Sequence, residues 1–248
     1  MRKNTITFDN GNHAVVVTAG RDTDAQTILK SLEIAQPHAL IMVFGGAKAL
    51  DDSRKTRLTE LFTHAIAPAA AELGALVIDG GTQSGVMAMM GEAFARDGRR
   101  SQLLGIAPAG KVTYPGAQSD ARIVDGAPLE PNHSHFVLVD SDEWGSETGT
   151  MFELAGAFNV SVVTMLINGG QIAGNEALQS VRNGWQVLVV EGSGRFADEV
   201  TAAVRNDQSA NSTKVSEIAR SGRVRLFHVN DPAEELKVEL HQILCCSE

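Results

Sequence analysis

Cysteine is almost missing from this chain. The only two among 248 residues, Cys245 and Cys246, are neighbours at the C-terminus. Adjacent thiols cannot staple distant segments or form a metal quartet, which excludes a disulfide scaffold and a structural zinc module. The scarcity also fits a reducing, cytoplasmic setting. Aromatic residues are only 5%, too few for the stacking platform of a single-strand binder. Basic charge is in deficit: 21 Lys and Arg face 30 Asp and Glu, for a net charge of −9. Such a chain is repelled by a duplex backbone, so no nucleic-acid partner is expected, although a local anion site is compatible with it. No apolar run approaches the ~20 residues of a membrane span. Met1-Arg2-Lys3-Asn4-Thr5 opens directly into a polar, strand-like segment with no signal-peptide character. No membrane partner, metal or cofactor is expected.

What is abundant is short aliphatic runs and glycine, 24 residues of it. The runs are Ala14–Thr18, Leu40–Phe44, Leu76–Asp79, Leu103–Ala107, Phe136–Asp140, Val160–Ile167, Val187–Glu191 and Val224–Val229. Each is apolar on nearly consecutive positions, the pattern of strands buried on both faces. Helical patterns lie between most of them, at Asp24–Ala35, Ser53–Leu73, Ser84–Arg96, Asn175–Arg182, Phe196–Asn206 and Pro232–Leu244. Asp24 and Ser53 suit N-caps, Gly74 suits the position after a helix end, and Pro68 should kink or split its helix. Asn206–Lys214 is polar and reads as a surface loop. The expectation is an α/β fold over 1–248 as one domain: a Rossmann-like, mostly parallel sheet with helices on both faces.

Five strands run into glycine. Gly45-Gly46-Ala47, Gly80-Gly81-Thr82-Gln83-Ser84-Gly85, Pro108-Ala109-Gly110, Asn168-Gly169-Gly170 and Gly192-Ser193-Gly194-Arg195 all follow aliphatic runs. In an open parallel sheet these carboxyl ends share one edge, where ligands bind. Glycine lets backbone N–H groups approach a phosphate, and the next helix points its positive end at the same place. Arg195 adds a guanidinium suited to two parallel hydrogen bonds with phosphate. Any one such loop is ordinary turn chemistry; five on one edge favour a phosphate-bearing ligand. The Gly-x-x-x-x-Gly-Lys-Ser/Thr loop of triphosphate hydrolases and the Gly-x-Gly-x-x-Gly dinucleotide fingerprint are both absent. Near this edge Asn132 and His133 are candidate contacts for a sugar or base. Glu147 and Glu153 are candidate general bases or ribose ligands. His133 and His135 alternate, which argues against a two-histidine metal site.

Several strings resemble the N-terminal region of the melastatin-type transient receptor potential channels. They are Ala39–Phe44 with Gly45-Gly46-Ala47, Ala75–Asp79 with Gly80 to Met87, Gly105-Ile106-Ala107-Pro108, Asn132 to Asp140, and Val189 to Asp198. The agreement runs from about Thr5 to Val204. The resemblance identifies the chain as similar to stand-alone prokaryotic domains of the SLOG superfamily, which also holds the LOG-type nucleotide phosphoribohydrolases. It implies a Rossmann-like sheet that binds a nucleotide or nucleotide-derived signal; in some channels this region binds ADP-ribose. The positions carried over are Gly45, Gly46, Gly80, Gly81, Thr82, Gly85, Asn132, Glu147 and the Gly192-Ser193-Gly194-Arg195 loop. Phe44 departs from the small hydroxyl residue of ADP-ribose-binding relatives. A helix bearing arginines in those channels has Met151 and Glu153 here. Gly169-Gly170-Gln171-Ile172-Ala173 stands where relatives read Gly-Gly-x-Gly-Thr, and Gly149-Thr150-Met151-Phe152-Glu153 is the nearest approach to the hydrolases' Gly-Gly-x-Gly-Thr-x-x-Glu. The expected functions are a sensor for an ADP-ribose-like nucleotide, with an N-glycosidic hydrolase of nucleoside monophosphates as the alternative. A homodimer is a further expectation.

Overall fold

A computed structural model describes residues 1–46, 50–117, 125–205 and 212–245. Ala47, Lys48 and Cys246, and the 206–211 part of the expected surface loop, lie outside the described residues. The strands are β1 (Arg2–Thr7), β2 (His13–Ala19), β3 (Ala39–Gly45), β4 (Ala75–Asp79), β5 (Gln102–Pro108), β6 (Val112–Thr113), β7 (Ala127–Pro128), β8 (His135–Val139), β9 (Ser161–Ile167), β10 (Gln186–Glu191) and β11 (Val224–His228). All eight expected runs are strands. Nine strands form one sheet in the order β1-β2-β8-β5-β4-β3-β9-β10-β11, and β6 pairs with β7 apart from it. Every neighbour in the large sheet is parallel except the edge pair β1 and β2. The buried strands read as continuous aliphatic runs because both faces are covered.

The helices are α1 (Ala25–Leu32), α2 (Asp52–Leu61), α3 (Ala67–Glu72), α4 (Gly85–Arg96), α5 (Thr148–Ala157), α6 (Gln171–Arg182), α7 (Arg195–Arg205), α8 (Thr213–Arg220) and α9 (Ala233–Cys245). One core gathers α1, α5, α6, α7 and α8 on one face of the sheet. The other core gathers α2, α3, α4 and α9 on the opposite face. The Asp24 cap is formed: its Oδ2 accepts from the Thr27 N–H at 2.9 Å. The second helix is capped by Asp51, not Ser53, with Oδ1 accepting from the Arg54 N–H at 2.8 Å. A carboxylate there also complements the helix dipole. Pro68 does split its helix: a π-turn, Phe62–Ile66, joins α2 to α3. The wider turn accommodates a residue that has no N–H and clashes with the carbonyl four residues back.

The strand order reverses direction at β3. From β3 the chain moves through α2 and α3 on one face to β4, whereas from the adjacent β9 it moves through α6 on the other face to β10. Helices leaving neighbouring strand ends on opposite faces open a crevice between those ends. Gly45, at the end of β3, keeps this junction closed from below. A Cβ there would lie 2.3 Å from the Ile167 carbonyl oxygen.

Candidate functional site

The crevice is a cleft of about 390 Å³. Its walls come from the end of β3 (Phe44, Gly45, Gly46), the loop after β4 (Gly80, Thr82), and the starts of four helices. Met87 belongs to α4, Met151 to α5, and Ala173 and Glu176 to α6; Glu147 precedes α5, Gly170 precedes α6, and Arg195 opens α7. Helix N-termini carry unpaired N–H groups and a positive dipole end, so four of them at one rim make a site for negative charge.

Among the described residues Arg195 is the cationic side chain that lines the cleft. Its guanidinium lies between the two glycine loops that flank the crevice. A Cβ on Gly170 would fall 2.9 Å from Nη2, and one on Gly46 would fall 3.9 Å from Nη1. The side chain is exposed, and no ion pair holds it among the described residues. Its backbone adopts φ 49°, a left-handed conformation that costs a residue with a Cβ about 1–3 kcal/mol. The loop beneath it is tightly knotted. Ser193 is fully buried; its Oγ donates to the Val190 carbonyl at 2.5 Å and accepts from the Asn168 N–H at 2.8 Å. The Ala197 N–H then donates to the Asn168 carbonyl at 2.9 Å.

Two carboxyl groups also line the cleft. Glu147 and Glu176 are each only 6% exposed. Burial pushes Glu147 above the usual carboxylate range, opposed by the backbone N–H groups of Glu147 and Gly145. Burial, reinforced by the charge of Glu147, pushes Glu176 up to about 8. Among the described residues Glu147 Oε2 has no hydrogen-bond partner, and Glu176 Oε1 accepts from Thr148 Oγ1 at a long 3.4 Å. The remaining surface is apolar, with Phe44 stacked on Phe152 at 5.8 Å and Trp144 and Ile172 near the mouth.

Of the residues expected at the ligand, the structure brings Gly45, Gly46, Gly80, Thr82, Glu147, Gly170 and Arg195 together in this cleft. Gly81, Gly85, Gly169, Gly192, Ser193 and Gly194 shape its loops from behind without lining it. Gly81 packs on Gly105, where a Cβ would meet the Gly105 Cα at 2.7 Å. Ser84 precedes α4, exposed, its hydroxyl 3.2 Å from that of Thr82. Glu153 is exposed in a separate depression with Asn175 and Gln179. Ala47 lies outside the described residues.

Asn132 and His133 do not line the cleft. The His133 imidazole is wholly buried, with Nε2 2.9 Å from Asp79 Oδ1 and Nδ1 2.8 Å from Glu130 Oε2. Burial alone would push its pKa down; the Asp79 and Glu130 carboxylates outweigh it and raise it to about 9. Both ring nitrogens therefore donate at neutral pH. Asp79 Oδ1 also accepts the Gly81 N–H at 2.7 Å, so this charged brace fixes the loop that forms the cleft wall at Gly80. Asn132 donates to Glu130 through both its N–H and its side-chain amide, at 2.9 and 2.7 Å.

Glu176 was not singled out from the sequence. The signal was present: counting Gly169-Gly170 as the glycines of Gly-Gly-x-Gly-Thr-x-x-Glu puts the glutamate at 176. Ile172 and Ala173, where the motif has Gly and Thr, make the loop read as degraded, and the count stops short of the glutamate.

The family described as SLOG in TRPM, prokaryote, matches residues 38–237. The chain belongs to this family. A transient receptor potential cation channel subfamily M member-like 2 of Nematostella vectensis is 32% identical over 235 residues, covering 78% of this chain and 15% of the channel. Subfamily M member 2 of Mus musculus is 26% identical over 223 residues, 74% of this chain and 15% of the channel. Subfamily M member 7 of Homo sapiens is 28% identical over 233 residues, covering 78% and 12%. The chain thus spans about a seventh or less of the length of these relatives. Among the described residues no helix is long and apolar enough to cross a membrane.

Proposed function

We propose that the cleft binds a nucleotide or a nucleotide-derived signal of the ADP-ribose type through its phosphates, and that the chain is a ligand sensor. One observation carries this reading: the Arg195 guanidinium sits between Gly46 and Gly170 at a rim where four helices begin. The unusual backbone of Arg195 supports it, because a conformation that strains the chain persists where it aims a side chain at a ligand. Native mass spectrometry of freshly purified protein looks for a retained nucleotide. In calorimetry, Arg195→Ala should weaken binding of ADP-ribose, AMP or pyrophosphate by about 1–3 kcal/mol. Unchanged affinity for all three removes Arg195 from the site.

The carboxyl pair favours a second reading, an N-glycosidic hydrolase of nucleoside monophosphates or related ribose phosphates. Two carboxyl groups with raised affinity for protons in one wall are suited to proton transfer at a leaving base or an attacking water. Incubation with a panel of nucleoside monophosphates, followed by chromatography for free base, tests it. Release of base that is lost in Glu147→Gln supports hydrolysis; intact binding without release leaves the sensor alone.

A further inference from the structure

We propose that the groove between α5 and α6 docks an extended, basic peptide segment of a partner protein. The proposal concerns a face outside the cleft and is independent of what the cleft binds.

The groove encloses about 460 Å³. α5 supplies Gly149 and Glu153, and α6 supplies Asn175 and Gln179, with Asn183 just past its end. The buried ring of Phe152 also lines it. That ring is stacked on Phe44 at 5.8 Å and on Trp185 at 5.3 Å, so two others hold it in place.

Asn175, Gln179 and Asn183 follow one another at intervals of four, which puts them on one side of the helix. All three are exposed. Each step rises about 6 Å. An extended chain repeats every second residue, at about 6.6 Å, with N–H and C=O on the same edge. The row of amides therefore keeps step with the backbone of a strand laid along the groove. The bonds already made leave suitable groups over. Asn175 Oδ1 accepts from Lys214 Nζ, and Gln179 Nε2 donates to Asn183 Oδ1 at 2.8 Å. Among the described residues Asn175 Nδ2, Gln179 Oε1 and Asn183 Nδ2 have no partner. In order they are a donor, an acceptor and a donor. A helix satisfies its interior backbone groups itself, so a partner helix has few to offer this row. An extended segment has one pair at every step.

Charge sets the rest. Among the described residues Glu153 is the ionisable side chain that lines the groove. It is exposed and has no ion pair among them. At one end Lys214 is engaged by Asn175 and Gln171. Glu153 and the net charge of −9 repel phosphate and acidic segments and favour Lys or Arg opposite Glu153. The surface of α5 is also barer than the fold requires. Gly149 and Gly156 are exposed, and a Cβ on either meets nothing within 4 Å. Glycine is a poor helix former, and packing does not demand it here as it does at Gly91 and Gly174. A helix surface without side chains lets another backbone come close.

A phage-displayed library of random seven-residue peptides, selected on the full chain, tests the proposal. Enriched peptides should carry Lys or Arg at one fixed position. N-methylation of alternate amides in the strongest binder should weaken it at least tenfold in one register and leave it unchanged in the other. Gly149→Leu should melt no lower than the wild type, because the site is open and leucine favours helix, yet bind the peptide at least tenfold more weakly. Asn175→Ala combined with Gln179→Ala should weaken it by a similar factor. Glu153→Lys should turn the selection toward Asp and Glu. No enrichment over an unrelated protein overturns the proposal, as does enrichment without Lys or Arg, or a binder whose affinity survives Gly149→Leu. A dimer in light scattering that Gly149→Leu dissociates assigns the groove to a second copy of the chain and overturns it too.

Discussion

His133 and Arg195 both carry positive charge beside glycine loops of the cleft, Gly81 for one and Gly46 and Gly170 for the other, yet their surroundings give them opposite work. Arg195 is exposed at the rim with no ion pair among the described residues, so its charge is available to a ligand. His133 is enclosed, and its charge is spent on Asp79 and Glu130. Glu130 is pressed against α4 so closely that a Cβ on Gly91 would fall 2.0 Å from its carboxyl carbon. Removing the imidazolium leaves two carboxylates in a dry interior with nothing to balance them. His133→Asn should therefore destabilise the fold by about 3–5 kcal/mol, read as a lower urea midpoint. A loss under about 1 kcal/mol, within the range of an exposed pair, would show that the brace does not hold the loop.

At the scale of elements, the strands were legible because each is covered on both faces and spells that burial out in consecutive aliphatic residues. The glycine-rich strand ends were legible for the same reason: the parallel order puts them on one edge. What the sequence concealed was where helices begin. The start of α6 reads as loop because Gly174 weakens the helical pattern. In the fold that glycine is a packing requirement: a Cβ would lie 2.7 Å from the Phe196 ring. Starting the helix at Asn175 instead of Gln171 left Glu176 at a frayed end, whereas on the second turn of α6 it faces the cleft. The α8 helix was hidden by a polar stretch, although Ser212 caps it by accepting from the Val215 N–H at 3.2 Å. His133 is a third kind of case. Whether a loop histidine meets ligand or carboxylates depends on Asp79, 54 positions away, and nothing local announces that contact.

For the molecule as a whole, the buried proton-binding groups set how stability follows pH. His133 goes from an ordinary 6.5 to about 9 on folding, so its contribution is complete below 6.5 and is lost as pH rises through 9. Glu176 goes from 4.5 to about 8, so its penalty is absent below 4.5 and complete once pH has passed 8. Both slopes have the same sign between pH 6.5 and 8, and His133 alone carries the decline on to 9. His135, pushed down to about 4 by burial and by Lys3, acts the other way: its contribution is present above 6.5 and lost as pH falls through 4. Exposed pairs such as Arg182 with Glu217 add little to either limb. The formal net charge of −9 counts His133 as neutral and Glu176 as ionised, so release of these two protons carries the fold toward that value, and self-repulsion reinforces the alkaline decline. The melting temperature should therefore peak on the acidic side of neutrality and fall steadily from pH 6.5 to 9. Glu176→Gln, which stays neutral, should flatten the part of the fall that ends near pH 8 and leave the part centred on His133. A melting temperature that is level or rising from pH 6.5 to 9 would mean that these groups meet more water, or different partners, than their burial requires.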